Sequence, residues 1–254
     1  MSNAERMRLD EALVRAGLAQ SRSRARDMVL RGTVAVDGEL ADKPARKVGR
    51  DERLSVTDPA SAYVSRAALK LAAGLDAFSF SPAGACALDL GAATGGFSQV
   101  LLERGAERVV AVDVGHGQMD SSLAAHPRMS VHEGLNARDL TRAHLGGGRI
   151  GAIVSDVSFI SLRLALPPAL ALAEPGAWGV FLVKPQFEVG RDAIGKGGIV
   201  RDPALARGCA DELAAWLGLE QGWRVAGLLP SPISGGDGNV EYLLGARKGG
   251  GSDD

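Results

Sequence analysis

Cysteine is nearly absent: the chain of 254 residues has two, Cys86 and Cys209. That excludes a disulfide framework and a cysteine metal cluster, and no metal site is expected; a reduced cytoplasm suits such a chain. Long apolar runs are lacking too. The most apolar stretch, from Leu164 to Val183, is interrupted by Pro167, Pro168, Glu174 and Pro175, which excludes a membrane span. The N-terminal MSNAERMRLDEALVR is charged throughout and has no signal core. Net charge is 29 − 30 = −1, so any nucleic-acid surface must be a local patch. Lysine is also scarce: 6 of the 29 basic residues are Lys and 23 are Arg. A lysine in a catalytic-looking place is therefore informative, because it can lose its proton and arginine cannot.

What is present is an ordinary globular composition, 46% apolar and 23% charged, with length for one large and one small domain. Residues 1–60 hold 12 basic and 10 acidic residues, and the remainder 17 and 20. Between the parts, Thr57-Asp-Pro-Ala-Ser-Ala62 reads as a linker. The first part predicts a helix over 8–20 and a second from Arg22 to Arg31, capped by Ser21. A short strand then ends in the Asp37-Gly38 turn. In the second part apolar strands alternate with helices: strands at 86–91, 109–113, 150–156 and 179–184, helices at 96–104, 162–173 and 203–217. That alternation predicts an α/β fold with a parallel sheet covered on both faces. Strands 224–229 and 240–246 have no helix between them and predict an antiparallel hairpin at the sheet edge.

The segment Asp89-Leu-Gly-Ala-Ala-Thr-Gly-Gly-Phe97 joins the first of these strands to a helix, where doubly wound sheets bind ligands. A dinucleotide loop would need a glycine at Ala93, so that a pyrophosphate could approach. S-adenosylmethionine has no phosphate, and the acidic Asp89 suits a cationic ligand. Asp113 ends the next strand and can accept hydrogen bonds from ribose hydroxyls. Four further polar residues stand where apolar ones are expected: Lys70 on a helix, Asp156 and Lys184 at strand ends, and Glu241 at the start of the last strand. Lys184 follows four apolar residues, a setting that disfavours an ammonium. A desolvated lysine, a second lysine and two orienting carboxylates are what metal-free methylation of a ribose 2′-hydroxyl requires.

These motifs resemble the FtsJ-type Rossmann-fold methyltransferases with their K-D-K-E tetrad, and most closely the TlyA family of hemolysin A-type rRNA methyltransferases. The likeness rests on Tyr63-Val-Ser-Arg66 with Leu69-Lys70, the loop 89–97, Val112-Asp-Val-Gly-His-Gly-Gln118, Asp156-Val-Ser-Phe-Ile-Ser161, Val183-Lys-Pro-Gln-Phe-Glu188 and Gly238-Asn-Val-Glu-Tyr242. Residues 7–56 resemble the S4-type RNA-binding module through Arg8-Leu-Asp10, Ser23-Arg-Ala25, Gly32-Thr-Val34 and Val36-Asp-Gly38. The resemblance implies a Rossmann-like domain over 64–247, with a seven-stranded, mostly parallel sheet and an antiparallel last strand. It implies a small α+β RNA-binding domain over 1–58, a linker over 59–63 and a disordered tail over 248–254. It makes Lys70, Asp156, Lys184 and Glu241 the catalytic tetrad, with Lys184 as proton acceptor. Asp89, Gly91, Ala93, Gly95, Gly96, Phe97, Asp113, Asn136, Ala137 and Asp156 become contacts of S-adenosylmethionine. The implied substrate is a cytidine ribose in the rRNA of one or both ribosomal subunits. Two departures stand out: Ala67-Ala68 where members often have a glycine, and a linker without bulky Arg or Trp residues.

Arg8, Arg22, Arg24, Arg26, Lys43, Arg46, Lys47 and Arg66 are the expected RNA contacts. Few aromatics lie in the small domain, so phosphate and shape recognition is expected there rather than base stacking. The glycine-rich loop from Gln186 to Arg201 is expected to act as a lid or RNA contact, with Arg191, Lys196 and Arg201 toward phosphate. A monomer without membrane or DNA partners is expected. The rival readings are an assembly factor with an inactive enzyme domain, a methyltransferase of another RNA such as tRNA, and a membrane-active hemolysin. The first is disfavoured by the intact tetrad, the last by the absence of a spanning helix.

Overall fold

The computed structural model describes residues 6–195, 197–235 and 238–250. The chain divides into two compact units, 1–61 and 62–254.

In the first unit, β1 (Met7–Arg8) leads into α1 (Leu9–Arg15) and α2 (Arg22–Leu30). Four short strands follow: β2 (Val34–Val36), β3 (Glu39–Leu40), β4 (Lys47–Val48) and β5 (Leu54–Val56). β2 lies between β3 and β5, and β1 pairs with β4. Ser21 caps α2 by accepting the Arg24 N–H at 3.2 Å. Asp37 and Gly38 both take positive φ, which a two-residue hairpin turn demands. Leu9, Leu13, Met28, Val29, Val34, Val36 and Val48 form the core. α1 is shorter than expected. The chain leaves the helix at Ala16, and Leu18, inside the expected span of 8–20, is exposed.

The expected linker begins with an anchored residue. Asp58 is buried and accepts two hydrogen bonds from Arg31, at 2.7 and 2.6 Å. It also accepts the Ala60 N–H at 2.9 Å. Burial alone would raise the Asp58 carboxyl, but Arg31 and the Ala60 amide outweigh it and hold it below the usual carboxylate range. Asp58→Asn is expected to destabilise this unit by about 3 kcal/mol, because Arg31 loses its buried partner. Hydrogen exchange of the α2 and β2 amides reads the loss. A carboxyl held low contributes its stability above the unfolded value of about 4. Wild type therefore sheds this contribution only as pH falls below that range.

The second unit begins with α3 (Ala68–Phe78) and β6 (Cys86–Leu90), then α4 (Gly96–Glu103), β7 (Arg108–Asp113), α5 (Ser121–Ala124) and β8 (Met129–Glu133). It continues with β9 (Ile150–Ser155), α6 (Leu162–Ala165), α7 (Pro167–Leu172), β10 (Ala173–Val183), α8 (Pro203–Leu219), β11 (Trp223–Pro230) and β12 (Tyr242–Lys248). The seven strands run in the order β11-β12-β10-β9-β6-β7-β8. β12 is antiparallel to both its neighbours, whereas β10, β9, β6, β7 and β8 are mutually parallel. One face packs Leu71, Leu75, Val100 and Leu101 from α3 and α4. The other packs Leu162, Leu170, Leu213 and Leu217 from α6, α7 and α8. Burial on both faces is why the central strands read as continuous apolar runs.

Three expectations are corrected. The helix expected over 162–173 is two short helices, because Pro167 lacks an N–H and starts a new one. β10 starts at Ala173, earlier than expected, with a register shift before Trp178. The terminal hairpin forms at the sheet edge as expected, with β11 outermost and β12 between it and β10. Lys248, assigned to the tail, belongs to β12 and donates to the carbonyls of Leu170 and Ala173 at 2.9 and 2.7 Å. Residues 251–254 of that tail lie outside the described residues.

Candidate active site

The sheet topology brings three of the four tetrad positions to one edge. Asp156 follows β9 and Lys184 follows β10, at carboxyl ends of parallel neighbours. Glu241 precedes β12, whose first residue Tyr242 pairs with Val183. α3 supplies the fourth. Gly74 lets that helix approach the sheet: a Cβ there would lie 2.9 Å from Val180 Cγ1. Lys70, one turn earlier on the same face, reaches Glu241 with Nζ to Oε2 at 2.5 Å. Both side chains are almost fully buried.

Lys184 forms the second ion pair. Its Nζ lies 2.7 Å from Asp156 Oδ1. That oxygen makes no aligned hydrogen bond. The aligned partners of Nζ are Asp156 O at 3.2 Å and Ser158 Oγ at 2.7 Å.

A cleft of about 940 Å³ opens beside Asp156. Gly91, Ala93, Asp113, Asn136, Ala137 and Asp156 all line it, together with Ser158 and Phe159. Gly91 has φ +77°, and a Cβ there would lie 2.8 Å from the backbone of Val157. Asp113 anchors both sides of the mouth, accepting the Ala93 N–H at 2.8 Å and the Gly115 N–H at 2.7 Å. Each oxygen keeps a second lone pair for a ligand hydroxyl.

Four expected ligand contacts do not line the cleft. Gly95, Gly96 and Phe97 are buried at the start of α4. Asp89 is fully buried, its Oδ2 accepting the Ser98 hydroxyl at 2.7 Å. Strand alternation turns Asp89 toward α4 rather than toward the ligand. These residues shape the loop from behind. Burial pushes the Asp89 carboxyl up to about 7, with the charges of Asp156 and Asp113 adding to the rise and Ser98 opposing it. A carboxyl raised by folding stabilises the protein while protonated. Stability is therefore lost as pH rises from about 4 to about 7, by roughly 1.4 kcal/mol per pH unit. Asp89→Asn, which mimics the protonated form, is expected to gain on wild type between pH 5.5 and pH 8.5. Urea midpoints at the two pH values check it.

Several residues that shape the site were not singled out from sequence. Glu188 accepts the Ser161 hydroxyl at 2.6 Å and the Leu162 N–H at 2.8 Å, tying the segment after Lys184 to the cleft wall. Burial raises its carboxyl. Glu133 accepts the Gly117 N–H at 2.7 Å and steadies the opposite wall. The buried Asn239 clamps the glycine-rich loop, accepting the Val200 N–H and donating to the Gly198 carbonyl, both at 3.0 Å. The loop is therefore tethered, with an isolated bridge between Ile194 and Val200. Arg201 packs along Gly195. Lys196 and the Arg191 side chain lie outside the described residues. Ser158 and Glu188 fall inside quoted motifs, but a pairing across more than twenty residues leaves no local signal.

The small unit spends much of its positive charge internally. Arg8 and Arg22 both pair with the buried Asp10, at 2.9 and 3.6 Å. Arg46 pairs with Glu52 at 3.7 Å, and Arg24 donates to the Ala60 carbonyl at 2.7 Å. Arg26, Lys43 and Lys47 are exposed and in no ion pair among the described residues. Arg66 belongs to the other unit and is half-buried.

A parallel sheet with an antiparallel strand inserted beside β10, and a glycine loop at its carboxyl edge, defines a Rossmann-type methyltransferase frame. The FtsJ-like methyltransferase family model matches residues 63–248, and the S4 domain model matches residues 7–54. The chain is 48% identical to the 16S/23S rRNA (cytidine-2′-O)-methyltransferase TlyA of Mycobacterium tuberculosis, over 96% of this chain and 91% of that one. It is 37% identical to Hemolysin A of Brachyspira hyodysenteriae, over 93% and 98%. A solved structure from Streptococcus thermophilus, also bearing the name hemolysin, superposes with a TM-score of 0.75 at 37% identity, covering 97% of this chain and 90% of that one. The chain belongs to the FtsJ-like methyltransferases, and among them to the TlyA group with its S4 domain. No helix among the described residues is long and apolar enough to cross a membrane.

Proposed function

We propose that this protein methylates the ribose 2′-hydroxyl of a cytidine in ribosomal RNA, using S-adenosylmethionine. The observation that carries this reading is the two ion pairs, the buried Lys70–Glu241 and the partly buried Lys184–Asp156, on one sheet edge beside a ligand-sized cleft. The substrate follows the TlyA relative, whose name specifies cytidine-2′-O methylation of 16S and 23S rRNA.

The cleft residues fit the donor. Gly91 lets the backbone approach where a Cβ would collide, and the acidic Asp113 and Asp156 suit a cation. Asp113 would hold the donor's ribose, with Asn136 and Ala137 at its adenine. S-adenosylmethionine supplies an electrophilic methyl group on a sulfonium. Lys184 Nζ takes the proton of the 2′-hydroxyl. Asp156 sits beside that amine and balances the charge it gains. Lys70 and Glu241 neutralise each other while holding α3 against the sheet edge. Catalysis by such a site is largely positioning. The small unit brings folded RNA through Arg26, Lys43 and Lys47, with strong salt dependence.

The test is methyl transfer from labelled S-adenosylmethionine to unmethylated small and large ribosomal subunits, assayed separately. Label in rRNA that blocks alkaline cleavage next to the modified nucleotide supports the reading and identifies the subunit. Label on a base, or on tRNA alone, overturns it. No label on any RNA, with donor still bound, favours an assembly factor.

A further inference from the structure

We propose that Ser158 is a positioning residue that aims the Lys184 amine. The inference rests on Lys184 being the proton acceptor. A lysine amine turns freely about its last bond, so a base of this kind works only if its lone pair is pointed. Two aligned hydrogen bonds leave Nζ, to Asp156 O at 3.2 Å and to Ser158 Oγ at 2.7 Å. Asp156 Oδ1 is close but takes no aligned hydrogen bond. Two of the three tetrahedral directions of Nζ are thus committed and one is open. An uncharged amine with its two N–H bonds on those acceptors presents its lone pair along the third. Without Ser158 a single aligned anchor remains, and the lone pair sweeps a cone.

A second observation points to the same turn. Phe159, the next residue, has φ +64° without being glycine, which costs about 1–2 kcal/mol. Such strain persists only where the surroundings impose it, and it clusters at functional sites. Two contacts join this turn to the segment after Lys184. The Phe159 ring lies 5.0 Å from the Phe187 ring. Glu188 holds Ser161 and the Leu162 amide. Phe187 and Glu188 lie just after Lys184, so the segment carrying the amine also grips the turn carrying Ser158. Ser158 itself is exposed on the cleft wall, where the core has no need of its hydroxyl.

Ser158→Ala, Ser158→Thr and Lys184→Met should be compared by single-turnover methyl transfer to unmethylated subunits, with donor affinity measured by calorimetry. The alanine variant is expected to lose roughly 10- to 100-fold in the transfer rate, the cost of a misaligned reacting group. Ser158 also lines the cleft, so the rate is read at saturating donor, where the loss should persist in full. The threonine variant keeps the hydroxyl and should recover to within about threefold of wild type, since the aligned geometry is restored. An alanine variant as fast as wild type beside an inactive Lys184→Met overturns the role of Ser158 alone. So does a threonine variant no better than alanine, or a loss confined to donor affinity. A Lys184→Met enzyme that still turns over overturns the base assignment itself.

Discussion

Lys184→Met is expected to lower methyl transfer roughly a thousandfold, the range for removing a positioned general base. Donor affinity should change little, because Lys184 does not line the cleft. Methionine keeps most of the length and apolar volume of the stem, so packing at the end of β10 survives. What it removes is the nitrogen proposed to take the hydroxyl proton. Lys184→Arg sharpens the result. Arginine keeps the positive charge beside Asp156 and several N–H donors, but it cannot give up a proton at working pH. The arginine variant is therefore expected to be as slow as the methionine variant. An active arginine variant would assign Lys184 a purely electrostatic role. Single-turnover label transfer, with saturating donor and unmethylated subunits, separates these outcomes from effects on binding.

Much of this frame is legible in the sequence because the central strands are buried on both faces. Cys86-Ala-Leu-Asp-Leu90 and Ile150-Gly-Ala-Ile-Val-Ser155 are apolar nearly throughout, so a polar residue at such a strand's end stands out. That contrast exposes Asp156 and Lys184. The pairing order is not legible. Nothing local in Tyr242–Lys248 says that it lies between β10 and β11. The edge strand β8, whose residues are half-buried or exposed and include Ser130, His132 and Glu133, has no continuous apolar run to mark its limits. Asp89 illustrates a subtler limit. Its place in the loop motif suggests a ligand contact, yet alternation along β6 puts it under α4 with Ser98. Charge counting in the small unit does not show which arginines are paired. Asp10 is one acidic residue in the sequence, but burial lets it occupy two arginines, Arg8 and Arg22.

Gly91→Ala is expected to raise the donor Kd at least about a hundredfold in an enzyme that stays folded. The residue needs a left-handed backbone, φ +77°, which a Cβ penalises. The larger penalty is contact, because that Cβ would sit 2.8 Å from both N and Cα of Val157. Both neighbours are backbone and cannot rotate away. Gly91 N donates to Val112 O at 2.8 Å, and Asp156 N donates to Leu90 O at 2.9 Å. The loop and the 156–158 turn are thus each pinned to the sheet, and one must move. If the loop moves, Ala93 leaves Asp113 and the cleft mouth opens. If the turn moves, the Asp156 carbonyl and the Ser158 hydroxyl leave Lys184. Turnover is then expected to stay low even where enough donor is added to fill the site. Binding of rRNA through residues 1–61 should be unchanged, because that unit has its own core. Calorimetry with S-adenosylmethionine, followed by transfer assays at rising donor, distinguishes the two displacements. A variant that binds donor as wild type does would place the donor elsewhere than in this cleft.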